Sequence, residues 1–234
     1  MNPKNEILQK MFTESYVHTP SGLFKATDQF TCKVLNVGAI DSSPKGLLIQ
    51  GEVSVSVEHA LISIVQVTSP LFAQFNSTNM LTGAVKIVAS GISSTSDVHI
   101  DSVDESKLTY TKAGTARVES GMLQIATANF QDVCEQAQIA FSEQNDLSAD
   151  FYDKFEKSEI PGFTFEKLNS SEVSTTIRIT ANSGTVIAMS VDIQSGYGDG
   201  EYPVTIGVNE KGETCVVYID FMLFERSDII ERII

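Results

Sequence analysis

Hydrophobic and polar positions alternate over much of the first half of the chain. In "GEVSVSVEHALISIVQV", Val53, Val55 and Val57 fall on one side, while Glu52, Ser54, Ser56 and Glu58 fall on the other. A period of two is the mark of a half-buried strand. "AVKIVAS", "SDVHI", "KLTYT" and "ARVES" follow, separated by Gly, Ser and Asp. Short β-branched runs with frequent turn residues predict antiparallel sheet from Phe24 to Phe130.

The period then changes. No glycine or proline occurs from Asn129 to Lys157, and Phe130, Val133, Cys134, Ala137 and Phe141 recur at three- and four-residue steps. That spacing predicts a helix with Asn129 as its cap. A second helix is expected from Ser148, with Phe151 and Phe155 on one face, ending at Pro161 and Gly162. Strand patterns return in "STTIRITA", "TVIAMSVDI", "YPVTIGVN" and "TCVVYIDFMLF". "NEKG", Asn209 to Gly212, predicts the hairpin turn between the last two. The tail "ERSDIIERII" is amphipathic and suits a last helical turn or an oligomer contact. No repeat and no Gly/Ser/Pro linker divides the chain. The expectation is one α+β domain, mainly antiparallel β with a central helical insert. Residues 1–128 are expected to be β-rich, 129–160 to form the insert, and 161–234 to form a β-meander.

Charge narrows the partners. With 30 acidic against 16 basic residues the net charge is -14. Such a surface repels nucleic-acid phosphates and anionic membranes, and it attracts a basic protein. Apolar residues at 42% and charged residues at 20% of the 234 positions are an ordinary globular balance. Cys32, Cys134 and Cys215 are an odd number and too widely spaced for a zinc pair. They suit free thiols in a reducing cytosol. "MNPKNEILQK" has no apolar core to make a signal peptide, and no window is apolar enough to span a bilayer. A cytoplasmic protein is expected.

One stretch stands apart. "SGYGDGEYPV", Ser195 to Val204, packs three glycines, Asp199, Glu201 and a Tyr202–Pro203 pair between two strand patterns. A phosphate cradle would feed a helix, commonly with a lysine. This loop feeds a strand and carries acids, so it predicts a bulge or turn built on Gly196, Gly198 and Gly200. In that turn Asp199 bonds nearby backbone N–H groups. A recognition loop on a rigid hairpin is the other reading. Pro203 lacks an N–H and is expected at a strand start or on an edge. Tyr202 is expected in the core.

The run Ser195, Gly196, Gly198, Asp199, Gly200, Tyr202, Pro203, Val204, then Gly207, Gly212, Asp220 and Phe221, resembles the C-terminal signature of a bacterial family known only as domain of unknown function 4241. "TPSGLFKATD" (Pro20, Ser21, Gly22, Asp28) and "VESG" (Val118 to Gly121, with Glu119) are similar to two further runs of that family. Two positions depart from it: "DQ" stands for Asp-Pro in the first run, and Thr127 stands where an acid follows the second. The resemblance implies a β-rich fold and carries no chemistry.

Other site patterns are thin. "DGE" lacks the alternating oxygen ligands of an EF-hand, even with Asp192 nearby. His18, His59 and His99 form no HxH, HxxxH or HExxH. Asp97, His99 and Asp101 fall on one strand face, as a polar solvent face would place them. No GxSxG elbow occurs, and a Cys134/His99 pair has nothing to support it. No metal and no cofactor are expected. Three function classes remain. The first is a non-enzymatic acidic binding protein, in its concrete form an immunity-type protein neutralising a basic toxin, with Asp199, Glu201, Tyr202, Glu119 and Asp28 as contact residues. The second is a hydrolase or other small-molecule enzyme using those carboxylates. The third is a phage or viral assembly protein.

Overall fold

The computed structural model describes residues 3–14, 16–17, 30–41, 46–70, 72, 79–89, 103–143 and 160–223. In chain order they form α1 (Pro3–Thr13), β1 (Tyr16–Val17), β2 (Phe30–Asp41), β3 (Leu47–Ile49), β4 (Val53–Val55), β5 (His59–Thr68) and β6 (Met80–Ala89). A 3-10 turn (Glu105–Lys107), β7 (Thr109–Val118), β8 (Met122–Thr127) and α2 (Phe130–Ser142) follow. The described chain closes with β9 (Phe163–Ser170), β10 (Ser174–Ala181), β11 (Val186–Gln194), β12 (Gly200–Val208) and β13 (Thr214–Asp220).

The strands make two antiparallel sheets. The first has seven strands in the order β1-β2-β5-β6-β13-β12-β7, and the second has six in the order β4-β3-β8-β11-β10-β9. They face each other across one core. Ile62, Ile64, Val85, Ile87, Tyr202, Val204, Val217 and Ile219 of the first sheet meet Leu47, Ile49, Leu123, Ile125, Val191 and Ile193 of the second. Each outer face is covered by a helix. Leu8 and Met11 of α1 pack on Val65, Val67, Ala84, Val216 and Tyr218. Phe130, Val133, Ala137 and Phe141 of α2 pack on Ala126, Phe165, Ile179 and Ala188. Strands such as "SIVQV" in β5 are buried on both faces, which is why their hydrophobic runs lose the alternation.

The mainly antiparallel β architecture is present, and several expected details differ. The segment 51–67 is not one strand. Val53, Val55 and Val57 are all buried, yet β4 belongs to the second sheet and β5 to the first. The inward positions change from odd (Val53, Val55, Val57) to even (Ala60, Ile62, Ile64), and that phase slip marks the corner where the chain changes sheets. "KLTYT" and "ARVES" belong largely to one strand, β7. Residues 161–234 do not form one meander, because β9, β10 and β11 lie in the second sheet and β12 and β13 in the first.

Of the expected helical insert, the described residues hold one helix. Helix α2 covers Phe130–Ser142, with its buried residues at three- and four-residue steps. Asn129 sits at the cap position without a side-chain capping bond; its Nδ2 donates instead to Ile187 O at 2.8 Å, tying the helix start to β11. Pro161 and Gly162 form a turn into β9, and Gly162 takes φ +87°. The expected helix from Ser148, the "SDVHI" strand and the C-terminal tail lie outside the described residues. Helix α1 is not predicted by the hydrophobic pattern, because its polar composition leaves only Leu8 and Met11 fully buried among its described side chains. The "NEKG" hairpin does join β12 to β13: Gly212 N donates to Asn209 O at 2.9 Å, and Asn209 Oδ1 accepts from Lys211 N and Glu213 N.

Candidate functional site

The glycine-rich stretch is a sheet-to-sheet crossing. Strand β11 ends at Gln194 in the second sheet, and β12 begins at Gly200 in the first. Residues 119–121 make the same crossing in the other direction, from β7 to β8. Because β7 pairs with β12 and β8 pairs with β11, the two crossings run side by side at one corner of the sandwich.

Polar groups clasp them together. Ser195 N donates to Gly121 O at 2.9 Å, and Asp199 Oδ1 accepts from Gly121 N at 2.8 Å. Ser195 Oγ lies 3.0 Å from Gly121 O and 2.6 Å from Gly198 O. Tyr202 Oη donates to Gly198 O at 2.7 Å, and its fully buried ring stands edge-on to Phe221 at 4.9 Å. The Gly198 carbonyl is therefore held by two hydroxyls. The glycines serve two different needs. Gly121 and Gly198 take φ +69° and +93°, conformations costly for a side chain. Gly196 makes a close approach instead, since a Cβ there would sit 2.6 Å from Thr82 O.

Several predicted contact residues meet here. Glu119, Asp199 and Tyr202 belong to the clasp or flank it, and Glu201 pairs with Arg117 on the exposed face of β7 at 3.3 Å. Asp28, with the whole Pro20–Asp28 run, lies outside the described residues. Pro203 is neither on an outer strand nor at the first strand position. Strand β12 lies between β13 and β7, but its pairing with β13 starts only at Val204, so Pro203 is paired to Thr115 of β7 alone. The missing N–H thus falls where the ladder has one side.

Two polar clusters are not foreshadowed by any motif in the sequence. On the outer face of the first sheet, Glu105 gathers groups from four elements. Lys86 Nζ of β6 pairs with its Oε1, while Tyr218 Oη of β13 at 2.7 Å, Tyr110 Oη of β7 at 2.8 Å and Gln9 Nε2 of α1 at 3.3 Å share its Oε2. Lys86 Nζ also lies 5.5 Å from the Tyr218 ring centroid and 5.8 Å from that of Phe12. Burial alone would raise the Glu105 carboxyl, but the bonds from Lys86, Tyr218 and Tyr110 hold it below the ordinary range. Burial and the Glu105 charge push both phenols up. On the outer face of the second sheet, burial raises the Asp192 carboxyl, opposed by Gln124 Nε2 at 3.1 Å. Cys134 beside it is pushed up to about 11 by burial and then by the Asp192 charge.

A surface groove of about 470 Å³ runs between residues 56–59 and 212–215, with Ala89 and Val103. It contains His59, whose Nδ1 lies 2.9 Å from Asp41 Oδ1. His99 lies outside the described residues, so its pairing with Cys134 does too. Among the described residues no group of three or more His, Cys, Asp or Glu is placed to hold a metal ion, and no helix is long and apolar enough to cross a membrane.

Residues 57–219 match the family model described as "Protein of unknown function (DUF4241)". No curated protein and no solved structure matches the chain.

Proposed function

The chain belongs to the DUF4241 family of proteins of unknown function, and we propose that it acts as a non-enzymatic binding protein for a basic protein partner. The observation that carries this reading is the use to which the glycine-rich signature is put. Asp199, Ser195 and Tyr202 turn their polar atoms into the clasp between Gly121 and Gly198. The clasp makes a rigid corner, and Glu119 and Glu201 stand exposed beside it. A recognition surface on such a corner loses little freedom on binding.

The net charge of -14 supplies the other half. An acidic surface steers a basic partner and speeds its capture. An immunity-type protein that neutralises a basic toxin is the concrete form of this reading.

The test is retention of partners on the immobilised protein at low salt, with elution along a salt gradient. Each retained protein is then purified and titrated against the free chain by calorimetry. The reading expects a basic protein that binds at fixed stoichiometry with affinity falling steeply as salt rises. Retention of nothing at low salt, or binding indifferent to salt, would overturn it.

A further inference from the structure

We infer that the groove between residues 56–59 and 212–215 is a seat for a basic side chain, with the aliphatic stem of a lysine or arginine below and its cationic head at the rim. The inference rests on the basic-partner reading only for the protein that brings the side chain. The seat itself is a different surface from the glycine-rich corner. The two lie at opposite ends of β12, whose 9 residues span roughly 30 Å.

Shape comes first. The groove encloses about 470 Å³, within the range of ligand pockets. It forms where the chain changes sheets between β4 and β5, against the end of the β12–β13 hairpin. Its lining is ordered by depth. Val57 is buried and Ala89, Val103 and Cys215 are half-buried, whereas Glu58 and Glu213 are exposed. Apolar surface therefore lies below and carboxylates stand above. A long cationic side chain has the same division, with methylenes that bury well and a head that stays at the surface.

Charge selects the cation over a neutral chain of the same length. Among the described residues no lysine or arginine lines the groove. Its basic group is His59, and Asp41 Oδ1 lies 2.9 Å from His59 Nδ1, so a charge on that ring already has its counter-ion. Lys211 belongs to the adjoining turn and stands outside the lining. Glu213 is held before any ligand arrives: its Oε2 accepts from Asn209 Nδ2 at 2.8 Å, and its N–H donates to Asn209 Oδ1 at 3.0 Å. A carboxylate fixed in this way costs little further ordering on binding. The glycine-rich corner differs, because Glu201 there already pairs with Arg117.

The experiment is a titration of the isotopically labelled full chain, followed by amide NMR. The probe is N-acetyl-arginine amide, and N-acetyl-norleucine amide is the neutral control. Saturable shifts are expected at residues 56–59, 89 and 212–215 with the arginine probe and not with the control. Glu213→Gln is expected to weaken that binding at least threefold, and Glu58→Gln/Glu213→Gln at least tenfold. A charge-matched variant on α2, Glu135→Gln/Glu143→Gln, is expected to leave it unchanged. All four glutamates are exposed, so these variants keep the fold. Shifts scattered over the surface, equal shifts with the neutral control, or equal weakening by the α2 variant would overturn the inference, because net charge alone would then explain the binding. So would the lack of saturable shifts in the groove. The basic-partner reading stands or falls separately. A basic protein retained equally by wild type and Glu58→Gln/Glu213→Gln keeps that reading and removes the seat. Saturable probe binding with no protein retained keeps the seat and removes the reading.

Discussion

Asp199 and Gly121 lie 78 residues apart in the chain, and a 2.8 Å bond from the Gly121 N–H to the Asp199 carboxylate joins them. That bond closes two crossings between the same pair of sheets. It places the family signature at a corner of the sandwich and assigns its acid to the backbone. Replacing Asp199 by alanine removes an exposed, charge-assisted bond and is expected to cost roughly 1 kcal/mol of unfolding free energy. Asn keeps an acceptor oxygen and should recover some of it. Urea denaturation of the three proteins measures this. An Asp199→Ala protein as stable as the wild type would remove the clasp from the account of the fold.

The glycines of this corner should respond differently to the same substitution. At Gly196 an added methyl meets Thr82 O at 2.6 Å and Leu223 Cδ2 at 2.8 Å, so Gly196→Ala is an overpacking change expected to cost about 2–3 kcal/mol. At Gly198 there is open space but φ is +93°, so Gly198→Ala is expected to cost about 1–2 kcal/mol through backbone strain alone. Melting curves of the two variants separate the causes, because Gly198→Asn should be milder than Gly198→Ala while Gly196→Asn should be worse than Gly196→Ala.

Acid should strip stability through Glu105. Its carboxyl in the folded protein lies below the ordinary 4.5, so its contribution is complete above that value. The contribution is lost as pH falls from about 4.5 through the lower folded value. Glu105→Gln should therefore flatten the fall of Tm with pH in the acid range. The Tyr110 and Tyr218 phenols, pushed up by burial and by Glu105, should stay protonated where ordinary tyrosines titrate near 10. Ultraviolet titration of wild type against Tyr110→Phe and Tyr218→Phe reads that directly. A similar acid profile for Glu105→Gln and wild type would show the cluster to be energetically idle.

Asp192 has the opposite sign. Burial raises its carboxyl above 3.8 in the folded protein, so stability is lost as pH climbs from that value through the folded one. Asp192→Asn keeps an acceptor for Gln124 and removes the buried charge. It should match or exceed the wild type in stability at neutral pH, and the two should converge as the pH is lowered. A destabilised Asp192→Asn at pH 7 would contradict this.

Thiol chemistry gives an independent reading of the two outer faces. Burial pushes Cys32 and Cys134 up to about 11, with Glu14 and Asp192 adding to it. The thiolate is the reactive form, so iodoacetamide at pH 8 should leave both unmodified in the folded protein and label them rapidly in urea. Peptide mass spectrometry distinguishes the sites. Fast native labelling of Cys32 would mean that α1 leaves its face readily.

The alternation of Val53, Val55 and Val57, the three- and four-residue steps of Phe130 to Phe141, and the Asn209–Gly212 turn are local patterns, and each was legible along the chain. Local geometry sets them, since a strand repeats every two residues and a helix every 3.6. The bend in the glycine-rich stretch was legible too, because only glycine takes such φ values freely. What that bend meets was not. The clasp joins positions 121, 195 and 199, and the Glu105 cluster joins positions 9, 86, 105, 110 and 218. Pairing over such separations is decided by which strands become neighbours, and a one-residue slip reverses every side chain. The corner at residues 56–58 turned one apparent strand into members of two sheets. Helix α1 shows the same limit, since its polar pattern does not announce it and its two buried residues, Leu8 and Met11, find their partners on the outer face of the first sheet. The sequence by itself determined the local periods, the inward valines of 53–57 and the buried face of α2, and the Asn209–Gly212 turn. The tertiary structure decided which ends met, because the closing contacts exist only once both sheets have formed.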